Sequence, residues 1–142
     1  MNMKDERQFV GYSKYRSRLV DGHVHTELCP HGSGDRTALM IEKAIELRIE
    51  KVCLTEHAPL PNAFAAEYGG DQKAYDTASL KLNQVDTYLE LGRQLQRAYG
   101  THIDISLGFE VDYIPGFETD IQEFLDRYGP LTDDNILSVH FM

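Results

Sequence analysis

Short apolar runs alternate with longer segments of helical period along this chain. The apolar runs predict four strands, at residues 19–24, 51–55, 102–113 and 135–141. Between them, apolar residues spaced three and four apart predict amphipathic helices at residues 36–48, 80–99 and 118–128. Asp35 is placed to cap the first helix, and Gly100 to follow the second as its C′ residue. This β-α-β-α-β-α-β order predicts parallel βα units, in a doubly wound sheet or as half of a (β/α) barrel.

Two segments fall outside this pattern. Residues 1–18 are polar and charged, and we interpret them as an N-terminal leader that precedes a partial domain at residues 19–142. Residues 58–77 carry two prolines and a Gly-Gly pair, which predicts a long loop of the kind that often serves function. The apolar pattern "NILSVHFM" runs into the last residue. We therefore expect an incomplete domain, soluble only with a partner or with the rest of its fold.

Composition narrows the class of protein. Hydrophobic residues make up 42% of the chain, which is enough to build a core. Lys and Arg total 14 against 23 Asp and Glu, a net charge of −9, so the basic surface of a nucleic-acid-binding protein is not expected. No apolar run reaches the ~18 residues of a membrane span. Two cysteines far apart, Cys29 and Cys53, do not form a disulfide framework and favour a reducing cytoplasmic location.

Residues that can bind metal concentrate where the predicted strands end. Parallel α/β folds place their chemistry at the C-terminal ends of the strands. The side chains predicted at that edge are His23, His25, His31, His57, Glu110, Asp112 and His140. His102, in contrast, starts a strand and is expected at the opposite edge. One end of the sheet is thus predicted to carry both imidazoles and carboxylates.

The spacing in "HVH" has a physical meaning. Side chains at positions i and i+2 of a strand point to the same side, so His23 and His25 are expected to converge while Val24 points away. Two neutral imidazoles on one side of a strand can bind one divalent ion. The glycines of "CPHGSG" allow the following loop to reverse sharply and bring His31 over the same edge.

Taken singly, each candidate has a structural alternative. His31 could be a solvated loop residue, His140 a buried hydrogen-bonded core residue, and Glu110 an ordinary polar group at a strand end. Their agreement across four strand ends favours a metal site. Cys53 is interpreted as a small core residue, and Cys29 lies beside the site without a clear base partner.

Four motifs, "DGHVHTELCPHGSG", "LTEHAPLP", "LGFEVDY" and "LSVHF", together resemble the polymerase and histidinol phosphatase (PHP) superfamily. The sequences of the first two motifs are most similar to those of the monofunctional histidinol-phosphatases of histidine biosynthesis within this superfamily. The resemblance runs from about residue 19 to residue 142. It implies a distorted (β/α)7 barrel with outer helices, of which this α/β chain would form the N-terminal half.

The resemblance also implies a set of metal ligands. The family binds up to three divalent ions, and Mn, Zn or Fe would each suit imidazole and carboxylate ligands. His23 and His25 would bind the first ion with Glu110, which would bridge to a second ion, and a metal-held hydroxide would attack the phosphate. The remaining positions implied are His140 for the second ion and His31 and His57 for a third. Further ligands and the phosphate-binding residues would come from later strands.

The activity implied is hydrolysis of a small phosphorylated metabolite, L-histidinol phosphate, to L-histidinol and phosphate, by a metal-dependent phosphomonoesterase. Two alternatives stay open: a PHP-type phosphoesterase with another substrate, such as a nucleotide or a nucleic-acid end, and a non-catalytic half-barrel that binds a metal or a partner. The acidic net charge and the residues of the "CPHG" and "TEHAP" motifs favour hydrolysis of L-histidinol phosphate. The chain alone is expected to be inactive.

Overall fold

A computed structural model describes residues 18–68 and 72–141 of the chain. Within them, four strands form one parallel sheet in the order β1-β2-β3-β4. The strands are β1 (Val20–Val24), β2 (Lys51–His57), β3 (Asp104–Asp112) and β4 (Ile136–Ser138). The helices are α1 (Thr37–Glu46), α2 (Asn62–Tyr68), α3 (Gln72–Ala78), α4 (Val85–Tyr99) and α5 (Glu118–Tyr128), with 3-10 turns at Leu82–Gln84 and Gly129–Leu131. The parallel βα order is confirmed, and the predicted leader lies outside the described residues except for its last residue.

Helix α1 differs from its prediction at both ends. Its N-cap is Arg36, whose side chain makes no capping bond, so the prediction that Asp35 caps the helix is wrong. Asp35 instead accepts a hydrogen bond of 2.9 Å from the Ser33 hydroxyl, which is a local turn contact. At the other end, Arg48 adopts a φ of 59°, and this left-handed backbone conformation cannot continue a right-handed helix.

The segment predicted as a loop at residues 58–77 is partly helical. Helix α2 lies within it and α3 ends one residue beyond it, and each has seven residues, about two turns, too few for a hydrophobic period to be read from sequence. Helix α4 begins at Val85, five residues later than predicted, because a 3-10 turn precedes it. Gly100 is the C-cap of α4 with a φ of −62°, so it is not the left-handed C′ residue that was predicted.

The strands differ from their predicted lengths mainly at the C-terminal edge. Strand β2 continues two residues further than predicted and ends on His57. Strand β4 has three residues, so His140 lies beyond its end rather than near the end of a longer strand. The predicted helix at residues 118–128 is confirmed as α5.

The core lies around the two central strands. Strands β2 and β3 are buried along almost their whole length, and Cys53 is one of the buried residues, as predicted. Helix α4 packs on β3, where Gly92 allows close approach to Leu107. The buried Tyr88 of α4 donates a 2.5 Å hydrogen bond to the Gly108 carbonyl and accepts one of 3.3 Å from the Glu56 backbone N–H. One side chain thus joins α4 to both central strands.

Side chains of the segment just before β4 form hydrogen bonds with the backbone of β3. Asp133 Oδ2 accepts a 2.9 Å hydrogen bond from the backbone N–H of Leu107, and Asn135 Oδ1 accepts one of 2.9 Å from that of Phe109. The Asp133 backbone N–H donates in turn to the Leu107 carbonyl at 2.6 Å. This segment therefore satisfies backbone groups of β3 that would otherwise be buried without partners.

We expect Asp133→Ala to lower the free energy of unfolding by about 1–3 kcal/mol, because it leaves the Leu107 N–H without its acceptor. Asp126→Ala on the exposed face of α5 serves as the control, and urea unfolding is the measurement. Burial raises the pKa of Asp133, but the hydrogen bonds from Leu107 and Gln96 and the charge of Arg93 lower it overall. A lowered carboxyl pKa means that this stabilisation is present above the ordinary pKa and lost as the pH falls through the folded-state value. Equal stability of the two variants would contradict the prediction.

Candidate metal centre

The ends of β1, β2 and β3 bring the predicted ligands together. His23 lies in β1 and His25 follows it, and their Nε2 atoms are 3.1 Å apart, so both rings point to the same side as the "HVH" spacing predicts. Val24 packs against the hydrophobic core instead. His57 is the last residue of β2 and pairs in register with Glu110 of β3. The parallel register therefore sets the imidazole groups of two strands around one carboxylate.

Glu110 is the centre of this arrangement. Its Oε2 lies 2.9 Å from His23 Nε2, 3.4 Å from His25 Nε2 and 3.2 Å from His57 Nδ1. Its Oε1 lies 3.6 Å from His140 Nε2. The side chain of Glu110 is only 3% exposed, so the two oxygens face the histidines rather than bulk solvent. A carboxylate held in this way can offer one oxygen to each of two neighbouring ions.

Three of the imidazoles are held from behind by acceptors. His25 Nδ1 lies 3.0 Å from Glu56 Oε1, His31 Nδ1 lies 2.7 Å from the Thr77 carbonyl oxygen, and His140 Nδ1 lies 2.6 Å from Asp112 Oδ1. A carbonyl oxygen and an ionised carboxylate accept hydrogen bonds but cannot donate them. Each Nδ1 is therefore placed to donate.

This arrangement leaves each Nε2 with a free lone pair for a ligand. It also orients the rings, in the way that acceptors behind metal-binding histidines do.

His31 and His57 lie side by side but do not form an isolated pair. Their ring centroids are 4.9 Å apart, whereas the rings of His25 and His57 are stacked at 4.4 Å. His57 therefore stands between the predicted first and third sites, and the assignment of His31 and His57 to a third ion stays a prediction. His102 lies in the turn before β3, at the opposite edge of the sheet as predicted.

The pKa shifts of Glu110 and His57 favour the forms of these groups that bind metals. Burial would raise the pKa of Glu110, but the His23 hydrogen bond and the charges of His57 and His140 lower it overall, so the group is a carboxylate at neutral pH. Burial and the neighbouring charge of His25 lower the pKa of His57, which favours its neutral form. The hydrogen bond to Glu56 raises the pKa of His25.

The residues present fit a divalent ion. His57 Nδ1 is buried and, although Glu110 Oε2 lies 3.2 Å away, it makes no well-directed hydrogen bond in the described part of the chain, which is costly for a polar atom unless another ligand satisfies it. Ligand atoms lie within 4.8 Å of one another in three groups: His23, His25 and Glu110; His25, Cys29 and His57; and His57, Asp112 and His140. Imidazole and carboxylate sets of this kind suit Zn, Mn or Fe.

Two residues in or beside these groups were not predicted to act in the site. Cys29 is buried with its thiol beside His25 and His57, and burial raises its pKa. Glu56 is fully buried behind His25. Simple alternation along β2 places Glu56 on the side opposite His57 and gives no sign that it reaches the loop after β1. The one available signal was an acidic residue in an otherwise buried strand, which needs a buried partner.

Comparison with known proteins identifies the family. The sequence matches the PHP domain over residues 21–142. The chain belongs to the PHP family. It is 43% identical over 122 residues to the histidinol-phosphatase of Bacillus subtilis (strain 168), an alignment that covers 86% of this chain and 44% of that protein. The chain therefore spans less than half the length of this PHP relative.

Two solved structures share this architecture. A crystal structure of a candidate histidinol phosphatase from Listeria monocytogenes superposes with a TM-score of 0.83 at 42% identity, over 87% of this chain and 45% of that one. Histidinol phosphate phosphatase from Lactococcus lactis, solved with zinc, L-histidinol and phosphate, matches with a TM-score of 0.66 at 23% identity, over 88% of this chain and 41% of that one. The four parallel strands thus form the predicted N-terminal half of a PHP barrel. In residues 18–68 and 72–141, no helix has the length and hydrophobicity needed to cross a membrane.

Proposed function

We propose that this half-barrel supplies one side of a metal centre for hydrolysis of L-histidinol phosphate. The observation that carries the proposal is the convergence of His23, His25, His57 and His140 on the two oxygens of Glu110. The Bacillus relative named histidinol-phosphatase and the zinc, L-histidinol and phosphate in the Lactococcus structure support the metal and the substrate. We infer that Glu110 is shared between two ions and that His31 and His57 contribute to a third.

Divalent ions held by these residues would supply an activated water and neutralise the charge of the phosphate. The residues of this chain hold and orient that centre. His23 and His25 approach Oε2 of Glu110 from β1, and His140 approaches Oε1 from beyond β4. His31 reaches the same edge from the loop, where its Nδ1 contacts the Thr77 carbonyl near the C-terminal end of α3. The substrate would therefore bind at the C-terminal edge of the sheet.

The extent of the functional unit is also a proposal. We infer that residues 19–142 are part of the PHP domain, that residues 1–18 are a leader, and that turnover needs strands beyond those of this chain. The coverage of about 44% of the Bacillus relative supports this inference. Two free, buried cysteines agree with a reducing cytoplasmic location.

The test is phosphate release from L-histidinol phosphate in the presence of Mn²⁺, Zn²⁺ or Fe²⁺. We compare this chain alone with this chain joined to the part of the Bacillus relative that the alignment does not cover. The joined protein is expected to release phosphate and the chain alone is not. Full activity of the chain alone would contradict the need for further strands. Activity of the joined protein on other phosphoesters, with none on L-histidinol phosphate, would contradict the substrate.

In the joined protein, His25→Ala is expected to lower turnover by at least ~10²-fold, because a displaced metal misplaces the reacting groups. His102→Ala, at the opposite edge of the sheet, is the matched control and should retain turnover. Far-UV circular dichroism checks that both variants keep the fold. Equal turnover of the two variants would mean that His25 is not part of the proposed metal centre.

A further inference from the structure

Glu56 is a fully buried carboxylate surrounded by donors. Its Oε1 lies 3.0 Å from His25 Nδ1 and 3.1 Å from the His57 backbone N–H. Its Oε2 accepts hydrogen bonds of 2.9 Å and 2.7 Å from the backbone N–H and the hydroxyl of Thr26. The residue has no solvent exposure. Each of these partners can donate a hydrogen bond, which is the environment that an ionised carboxylate requires.

Burying such a charge is costly unless hydrogen bonds and an opposite charge compensate for it. The three hydrogen bonds from Thr26 and His57 hold the end of β2 against the loop after β1. A residue with a purely structural role would need only these contacts. The contact to His25 is different, because it joins the carboxylate to an imidazole whose other nitrogen faces Glu110 at 3.4 Å. This line of groups, Glu56 to His25 to Glu110, passes from the core into the candidate metal centre.

We propose that Glu56 is a positioning residue that fixes His25 in its Nδ1–H tautomer and aims Nε2 at the metal centre. This inference rests on the proposed metal centre and deepens it. The imidazole has two neutral tautomers, and only the one with a free Nε2 can bind an ion beside Glu110. Carboxylates that hold a metal-binding histidine in this way raise the basicity of the ligand as well as orienting the ring.

Glu56→Gln tests the role because it keeps the size of the side chain and removes its acceptor-only character. One carboxylate oxygen becomes an NH₂ group, which must face either the backbone N–H of His57 and His25 Nδ1 or the backbone N–H of Thr26. In the first orientation His25 loses its acceptor and is free to adopt the other tautomer. Thr26→Val is the matched control, because it removes a hydroxyl donor from the same carboxylate without touching the contact to His25.

The first measurement is made on the unsubstituted chain. Long-range ¹H–¹⁵N NMR at a pH where His25 is neutral reports which ring nitrogen carries the proton. We expect a proton on Nδ1 of His25. A proton on Nε2 would overturn the proposal, whatever the variants do. Titration of the joined protein with Zn²⁺ reports the complete metal centre, and an absence of binding there would refute the proposed function rather than the role of Glu56.

The second measurement is zinc affinity by calorimetry, with thermal melting of each variant in parallel. Glu56→Gln is expected to weaken Zn²⁺ binding by ~10–100-fold and to change the tautomer signal of His25. Thr26→Val is expected to lower the melting temperature while retaining the affinity and the tautomer. Wild-type zinc affinity with an unchanged tautomer in Glu56→Gln would overturn the positioning role. If that variant does not fold, the tautomer of the unsubstituted chain decides the question.

Discussion

Glu110→Gln weakens zinc binding at the C-terminal edge of the sheet by at least ~10²-fold, more than the loss of a residue behind a ligand would. Both oxygens of Glu110 face histidine nitrogens, with Oε2 toward His23 and Oε1 toward His140. An amide replaces one of these oxygens by a donor and removes the negative charge that balances the ion. The variant therefore loses the shared ligand of the whole cluster rather than one of several equivalent ones.

The measurement for this variant is calorimetric titration with Zn²⁺, with far-UV circular dichroism to verify the fold. Glu123→Gln, on the exposed face of α5, is the matched control and is expected to bind zinc as the unsubstituted chain does. Wild-type affinity in Glu110→Gln would show that the ion binds elsewhere. Loss of binding in both variants would point to a general effect of net charge instead of a ligand.

Gly108→Ala is expected to destabilise the fold by about 3 kcal/mol or more, as severe overpacking of a core does. A Cβ atom at this position would lie 1.5 Å from the carbonyl oxygen of Asp134. The obstacle is backbone, so no side-chain rotation relieves it. Moving this segment would break the hydrogen bonds that Asp133 and Asn135 make to β3. The change also strains the Tyr88 contact to the Gly108 carbonyl.

The matched control is Gly22→Ala in β1, where an added Cβ meets nothing within 4 Å. Urea unfolding of the two variants separates the loss of glycine as such from the specific clash. We expect a large fall in the urea midpoint for Gly108→Ala and little change for Gly22→Ala. Equal midpoints would mean that the segment before β4 does not pack on β3 as described.

The sequence predicted β2, β3 and the meeting of the histidines with Glu110 at one edge, because these features depend on simple local rules. Apolar runs define β2 and β3, and the alternation of side chains brings His23 and His25 to one side. The ends of β2 and β3 then place His57 beside Glu110 through the parallel register. None of these steps requires knowledge of distant packing.

The features that the sequence did not predict depend on contacts between distant segments. Helices α2 and α3 are too short to show a period. Strand β4 stops at Ser138, and the pairing of β3 ahead of β4 is made by side chains of Asp133 and Asn135 instead of by a strand. Glu56 reaches Thr26 and His25 across 30 and 31 residues of sequence, and no local pattern indicates such a contact.

The central claim is that the strand ends of this half-barrel form a metal centre around Glu110. Anomalous X-ray scattering at the zinc edge, from crystals of the chain grown with Zn²⁺, tests it most directly. We expect a peak at roughly 2.0–2.2 Å, the usual zinc–ligand distance, from a Glu110 oxygen and from Nε2 of His23 and His25. Zinc peaks found only away from these three side chains would contradict it.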